Sequence, residues 1–215
     1  MNGKRFSSTL CAIVLLALAT GSAALAQDPP PRHLGGTISD YTPLIPTLTP
    51  TGPWEMRGHW SLHVKGDSGK ADFSAFMTME LSDSGVAAAG KNLTDPASRS
   101  AHTHHILMTD ASVSADPADL ASCPAFSPSN TAKLVVTGPA NFISGNGNAA
   151  PFEKLGPTTL QVCISGGTDG TSEVTYSNIT LVMTGPAADK HFGHQAIHGA
   201  VRFPKNDHPD DPDAH

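Results

Sequence analysis

Apolar and polar side chains alternate every second residue through much of this chain, the signature of half-buried β-strands. Between Glu55 and Val64, Trp60, Leu62 and Val64 fall on one face and His59, Ser61 and His63 on the other. Lys65-Gly66-Asp67-Ser68-Gly69 supplies turn residues, with glycines where φ must be positive. Alternation resumes from Ala71 to Leu81, with Phe73, Ala75, Met77, Met79 and Leu81 set against Asp72, Ser74, Thr78 and Glu80. Phe76 breaks that pattern. Two alternating runs joined by a short Gly-containing turn predict a hairpin. Residues 82–100 read as a loop, and a third strand-like run follows over Ala101–Met108. Further strands are expected over 133–137 and 141–144, separated by Gly138-Pro139, and over 158–165, 174–184 and 195–203. Leu134-Val-Val-Thr-Gly-Pro-Ala140 is echoed by Leu181-Val-Met-Thr-Gly-Pro-Ala187.

No window sustains a 3.6-residue apolar period. The pattern therefore predicts an all-β fold, a single antiparallel β-barrel or β-sandwich of seven to nine strands, with the long simple hairpins favouring a barrel. The segment 54–203 is long enough to bury one core of its own.

The flanks have a different composition. Lys4 and Arg5 precede an apolar run over Leu10–Ala19, and Ala24-Leu25-Ala26 offers a small-x-small cleavage pattern. Residues 1–26 are read as a signal peptide cleaved near Ala26/Gln27, giving an exported product, periplasmic or secreted. Residues 27–53 hold Pro29-Pro30-Pro31 and prolines at 43, 46, 50 and 53, and are expected to be a Pro/Thr-rich linker or a strap anchored by Tyr41, Leu44 and Ile45. Residues 204–215, rich in aspartate and proline, are expected to be a disordered acidic tail.

Without residues 1–26 the chain keeps 11 basic against 19 acidic residues, a net charge of −8. Such a chain lacks the basic surface that nucleic acid requires, and no later stretch is apolar enough to span a membrane as a helix. Cys11 falls in the leader, which leaves Cys123 and Cys163 as an even pair in an exported chain, the arithmetic of one disulfide.

Candidate chemistry lies in the eleven histidines. His33, His208 and His215 sit in the flanks; eight remain in the domain. In Ala101-His-Thr-His-His-Ile-Leu-Met108, strand geometry puts His102 and His104 on one face and turns His105 the other way. Two imidazoles at i and i+2 on a rigid strand can offer ring nitrogens to one ion, and imidazole suits zinc or copper. A third ligand must come from a distant strand. If first and last strands of a barrel become neighbours, His198 is the first choice, followed by His63 and His59. His191 and His194, in Lys-His-Phe-Gly-His, would be a mobile alternative. Asp110 is the nearest carboxylate that could orient a ring. Three imidazoles with an open position would make a catalytic-type zinc site, whereas a fourth protein ligand would make it structural.

No protease zinc motif, nucleophile elbow, phosphate loop or dinucleotide fingerprint is present, so no enzyme activity is assigned. The sequence predicts a small exported β domain that binds a transition metal through a histidine cluster. Two alternatives differ in partner. One is a non-catalytic barrel holding an apolar or carbohydrate ligand against Phe73, Phe76, Met77, Met79 and the tryptophans. The other is a plain surface or matrix interaction domain with no small-molecule site.

Overall fold

The computed structural model describes residues 33–42, 44–45, 51–124, 131–145, 153–154, 157–168 and 174–204. The expected leader, and the tail from residue 205, lie outside the described residues. Among the described residues the strands are β1 (His33–Thr42), β2 (Trp54–Val64), β3 (Lys70–Leu81), β4 (His102–Ser114), β5 (Thr131–Gly145), β6 (Glu153–Lys154), β7 (Thr158–Thr168), β8 (Val174–Thr184) and β9 (Ile197–Pro204). They are ordered β4-β3-β2-β1-β9-β8-β7-β5-β6, and β4 also pairs with β5. That last pairing closes eight strands into an antiparallel barrel, leaving β6, Glu153–Lys154, as a short addition on β5.

The predicted alternation sets the walls. In β2 (Trp54–Val64), Trp54, Met56, Trp60, Leu62 and Val64 are buried; in β3 (Lys70–Leu81), Ala71, Phe73, Ala75, Met77, Met79 and Leu81 are buried. Register matches these faces directly, Leu62 with Phe73 and Met56 with Met79. β4 (His102–Ser114) adds His104, Ile106 and Met108, β7 (Thr158–Thr168) adds Leu160, Val162 and Ile164, and β8 (Val174–Thr184) adds Ile179, Leu181 and Met183. Phe76 points outward and is 36% exposed, which explains why it broke the pattern. The expected pair of strands at 133–137 and 141–144 is one strand, β5 (Thr131–Gly145). Gly138-Pro139 lies opposite a break in the β4–β5 ladder between Leu107 and Ser112, so the missing proline N–H falls where pairing is already interrupted.

One boundary is corrected. The segment expected to be linker or strap contains β1 (His33–Thr42), which lies between β2 and β9 (Ile197–Pro204). The barrel therefore begins at His33 rather than Trp54. Its inner positions include Leu34, Ile38 and Thr42, all buried, while Gly36 permits a close approach. A Cβ on Gly36 would stand 1.9 Å from the Ala200 carbonyl oxygen, and the Trp60 indole N–H donates to that same carbonyl at 3.3 Å. Beyond the strand, Ile45 is fully buried, so part of the strap does anchor as expected, while Tyr41 and Leu44 stay exposed.

At one end of the barrel lie the β1–β2, β3–β4, β5–β7 and β8–β9 connections. Among the described residues, two of these connections carry helices, α1 (Asp83–Ala88) between β3 and β4 and α3 (Pro186–Phe192) between β8 and β9. The opposite end carries the β2–β3 turn and the β4–β5 connection, which includes α2 (Pro117–Leu120). Cys123, just after α2, is disulfide-bonded to Cys163 on the outer face of β7, as the cysteine count predicted. No helix among the described residues is long and apolar enough to cross a membrane.

Candidate metal centre

The β3–β4 connection delivers β4 to the barrel end with its first residues held firmly. A short 3₁₀ turn over Pro96–Arg99 is capped by Asp95, whose carboxylate accepts from the Ala97 N–H at 3.0 Å. Arg99 donates to the Leu81 carbonyl at 3.1 Å and to Asp83 at 2.6 Å, tying the connection back to the end of β3. Ser100 then adopts a left-handed conformation with φ 53°. In that conformation its carbonyl oxygen lies 3.0 Å from His102 Nδ1. The carbonyl can only accept, so Nδ1 carries the proton and Nε2 of the neutral ring presents a lone pair.

His104 shares the inner face two residues on and is completely buried. The third imidazole comes from α3. Gly185 (φ 136°) and Pro186 start that helix, and Gly193 ends it in the left-handed region with its N–H on the Asp189 carbonyl at 2.9 Å. Seven residues suffice to put Ala188, His191 and Phe192 on one side, at spacings of three and four. Ala188 and Phe192 are buried, and that anchoring aims His191 at β4.

His191 Nε2 lies 3.1 Å from His102 Nε2 and 2.9 Å from His104 Nε2. The ligand atoms of all three residues fall within 4.8 Å of one another. The rings are close to mutually perpendicular, at 89°, 88° and 80°, as three ligands around one centre would be. Nitrogens bound to one zinc at about 2.0–2.1 Å and tetrahedral angles would sit roughly 3.3 Å apart, close to the two separations from His191. Trp54 stands edge-on to His102 at 5.5 Å, and Phe192 contacts both His104 and His191, so aromatic rings wall the cluster.

Electrostatics favour the neutral form. Burial, and then the neighbouring His191 and His102, push the His104 imidazole well below its ordinary pKa. Burial and then His102 bring His191 down to about 4. Burial lowers His102 too, against a raising contribution from the Ser100 carbonyl. Around neutral pH the rings are uncharged. The His102 Nε2 has no proton to give, so a proton in its contact with His191 comes from His191. With all three rings in the tautomer protonated at Nδ1, a cation at the meeting point would be met by three Nε2 lone pairs.

His102 and His104, the pair expected from the strand period, thus meet, but their companion is His191. His198 hydrogen-bonds Asp40, which accepts from both its backbone N–H at 2.7 Å and its Nδ1 at 2.9 Å. His63 lies against His33 across β1–β2, the rings tilted by 33° with ring nitrogens 3.1 Å apart. His59 is exposed on the outer wall beside Phe76 at 5.8 Å. These placements share one cause: β1 separates β2 from β9, so His63 and His198 each meet a β1 residue instead of each other. His105 points outward to Ser74, as expected, and the exposed His194 pairs with Asp189. Asp110 bonds Lys65 near the opposite end and orients no imidazole of the cluster. The signal for His191 was present in the chain, since Pro186 at the first helical turn and Gly193 past the last are helix punctuation. Two turns are too few for an apolar period to show.

Fold and site together define a closed antiparallel barrel with a three-histidine cluster at one end. No family model, curated protein or solved structure matches the chain.

Proposed function

We propose that this chain is an exported barrel protein whose role is to bind one transition-metal ion through Nε2 of His102, His104 and His191. The observation that carries this reading is the convergence of three imidazole nitrogens, that of the buried His104 with those of the partly buried His102 and His191, two of them contributed by adjacent inner positions of one strand and one by a helix anchored by the buried Ala188 and Phe192. The Ser100 carbonyl behind His102 is the outer partner that metal-bound histidines ordinarily have, fixing tautomer and ring orientation. Export is supported by the leader-like residues 1–26 and by the Cys123–Cys163 disulfide, a bond that persists in oxidising compartments.

The test is metal content of the chain from Gln27, purified without a histidine tag and measured by plasma mass spectrometry. About one equivalent is expected in the unaltered protein, as one tri-imidazole site requires. His191→Ala, on a short external helix, should bind little metal while keeping the barrel's circular dichroism. His198→Ala should retain the full equivalent. Equal metal in the unaltered and His191→Ala proteins would overturn the proposal.

A further inference from the structure

The cluster has neighbours that bear on which ion it takes. On the inner face of β3, Met79 is the direct cross-strand partner of His102, and Met77 is the partner of His104. Met56 stands opposite Met79 on the other side, from β2. All three methionines are completely buried. Half of the six methionines in the chain therefore occupy adjoining inner positions next to the histidine pair. Directly opposed side chains on one face of an antiparallel ladder have Cβ atoms about 4.5–5.5 Å apart, within reach of a flexible thioether.

The rest of the ligand inventory is equally one-sided. Among the described residues, the one group of three or more metal-ligating side chains is His102, His104 and His191, and it includes no carboxylate. Cys123 and Cys163 are bonded to each other and offer no thiolate. The available donors are thus neutral imidazole and neutral thioether.

Neutral donors in a buried setting discriminate by charge as well as by softness. The cost of desolvating an ion grows with the square of its charge, and no anionic ligand here offsets it for a divalent ion. Thioether sulfur is a soft donor that selects Cu(I), whereas carboxylate, carbonyl and water suit the harder ions.

We infer that the centre is a Cu(I) site, in which the Met79 thioether joins the imidazoles of His102, His104 and His191. This rests on the metal-binding reading above and adds to it the ion and a fourth ligand. Met79 is assigned ahead of Met77 because its partner His102 is the half-buried member at the outer edge of the cluster, while Met77 pairs with the fully enclosed His104.

The experiment is a pair of competition titrations on the folded chain from Gln27. Cu(I) is titrated without oxygen against a chromophoric Cu(I) chelator, and Zn(II) against a chromophoric zinc chelator. Four proteins are compared: unaltered, Met79→Leu, Met77→Leu and His191→Ala. The unaltered protein should hold Cu(I) more tightly than Zn(II). Met79→Leu preserves side-chain volume, and should weaken Cu(I) by roughly tenfold or more while leaving Zn(II) within about twofold, the pattern of a lost soft ligand rather than a damaged fold. Met77→Leu should change neither, and His191→Ala should lose both ions. X-ray absorption at the copper edge should show a sulfur scatterer that disappears in Met79→Leu.

Tighter Zn(II) than Cu(I), or a copper edge with nitrogen neighbours alone, would overturn the copper inference and leave the tri-histidine site standing. Failure of the unaltered protein to bind either ion would overturn the tri-histidine site itself.

Discussion

Ser100 shows how much a single backbone conformation contributes to the site. A left-handed φ of 53° is uncommon for a residue with a Cβ, and here it directs a carbonyl at His102 Nδ1. Valine at this position would meet the steric penalty of a β-branched residue in that region, roughly 1–2 kcal/mol, and would relieve it by turning the peptide. Ser100→Val should therefore lose about that much stability in urea. It should also weaken metal by about 10–100-fold, the usual effect of removing an outer partner. Ser100→Gly keeps the conformation accessible and should leave metal affinity unchanged. Chelator competition on the three proteins reads this directly. Neither Ser100 nor its role was legible beforehand, because a left-handed residue with a side chain has no composition signal. The inward pair His102 and His104 was legible, since a two-residue period is enough to place both on one face.

At the scale of elements, the informative case is β1. Its sequence, His33-Leu-Gly-Gly-Thr-Ile-Ser-Asp-Tyr-Thr42, lies among prolines and carries Gly-Gly where a strand would ordinarily place a large side chain. The surrounding prolines argued for a linker, yet the segment is a strand, and Gly36 is what lets it fit. With a Cβ there at 1.9 Å from Ala200 O and 2.9 Å from Trp60 Nε1, the β1–β9 seam would have to open. Gly36→Val should therefore destabilise the barrel by several kcal/mol, as overpacking against backbone does. Gly90→Ala, at φ 66° with nothing within 4 Å, should cost only about 1 kcal/mol for its left-handed conformation. Equal midpoints in urea for the two variants would mean that β1 is not a structural member of the barrel. The repeated Thr-Gly-Pro-Ala makes the complementary point. In β5 the strand runs through it beside the β4 irregularity, whereas after β8 Gly185 and Pro186 open α3. The same four letters take opposite courses because the neighbouring strand, absent from any local pattern, decides between them.

Closure of the whole molecule decides which histidines meet, and no strand period contains that information. Inserting one strand between β2 and β9 moved His63 and His198 apart, while the connection after β8 folded over the barrel end to bring in His191. Closure also separates the histidine cluster from the disulfide. Cys163 faces outward on β7, and Cys123 sits in the connection at the far end from the histidines. The bridge spans 40 residues, and in the chain-entropy account it restricts the unfolded chain by about 4 kcal/mol without touching the folded site. Replacing both cysteines with alanine should thus lower the melting temperature by about 8–16 °C, at 2–4 °C per kcal/mol for a domain of this size. Metal affinity should stay within about twofold, because the folded cluster is unchanged and the two sites share no partners. The increment added by metal should also survive intact, about 2.7 kcal/mol at a free ion concentration a hundredfold above Kd, whether or not the bridge is present. Calorimetry of both proteins with and without metal gives four melting points. Two parallel shifts are expected. A metal shift that vanishes with the disulfide would mean that the bridge holds the barrel wall in the shape the histidines need, and that the two ends of the molecule are coupled.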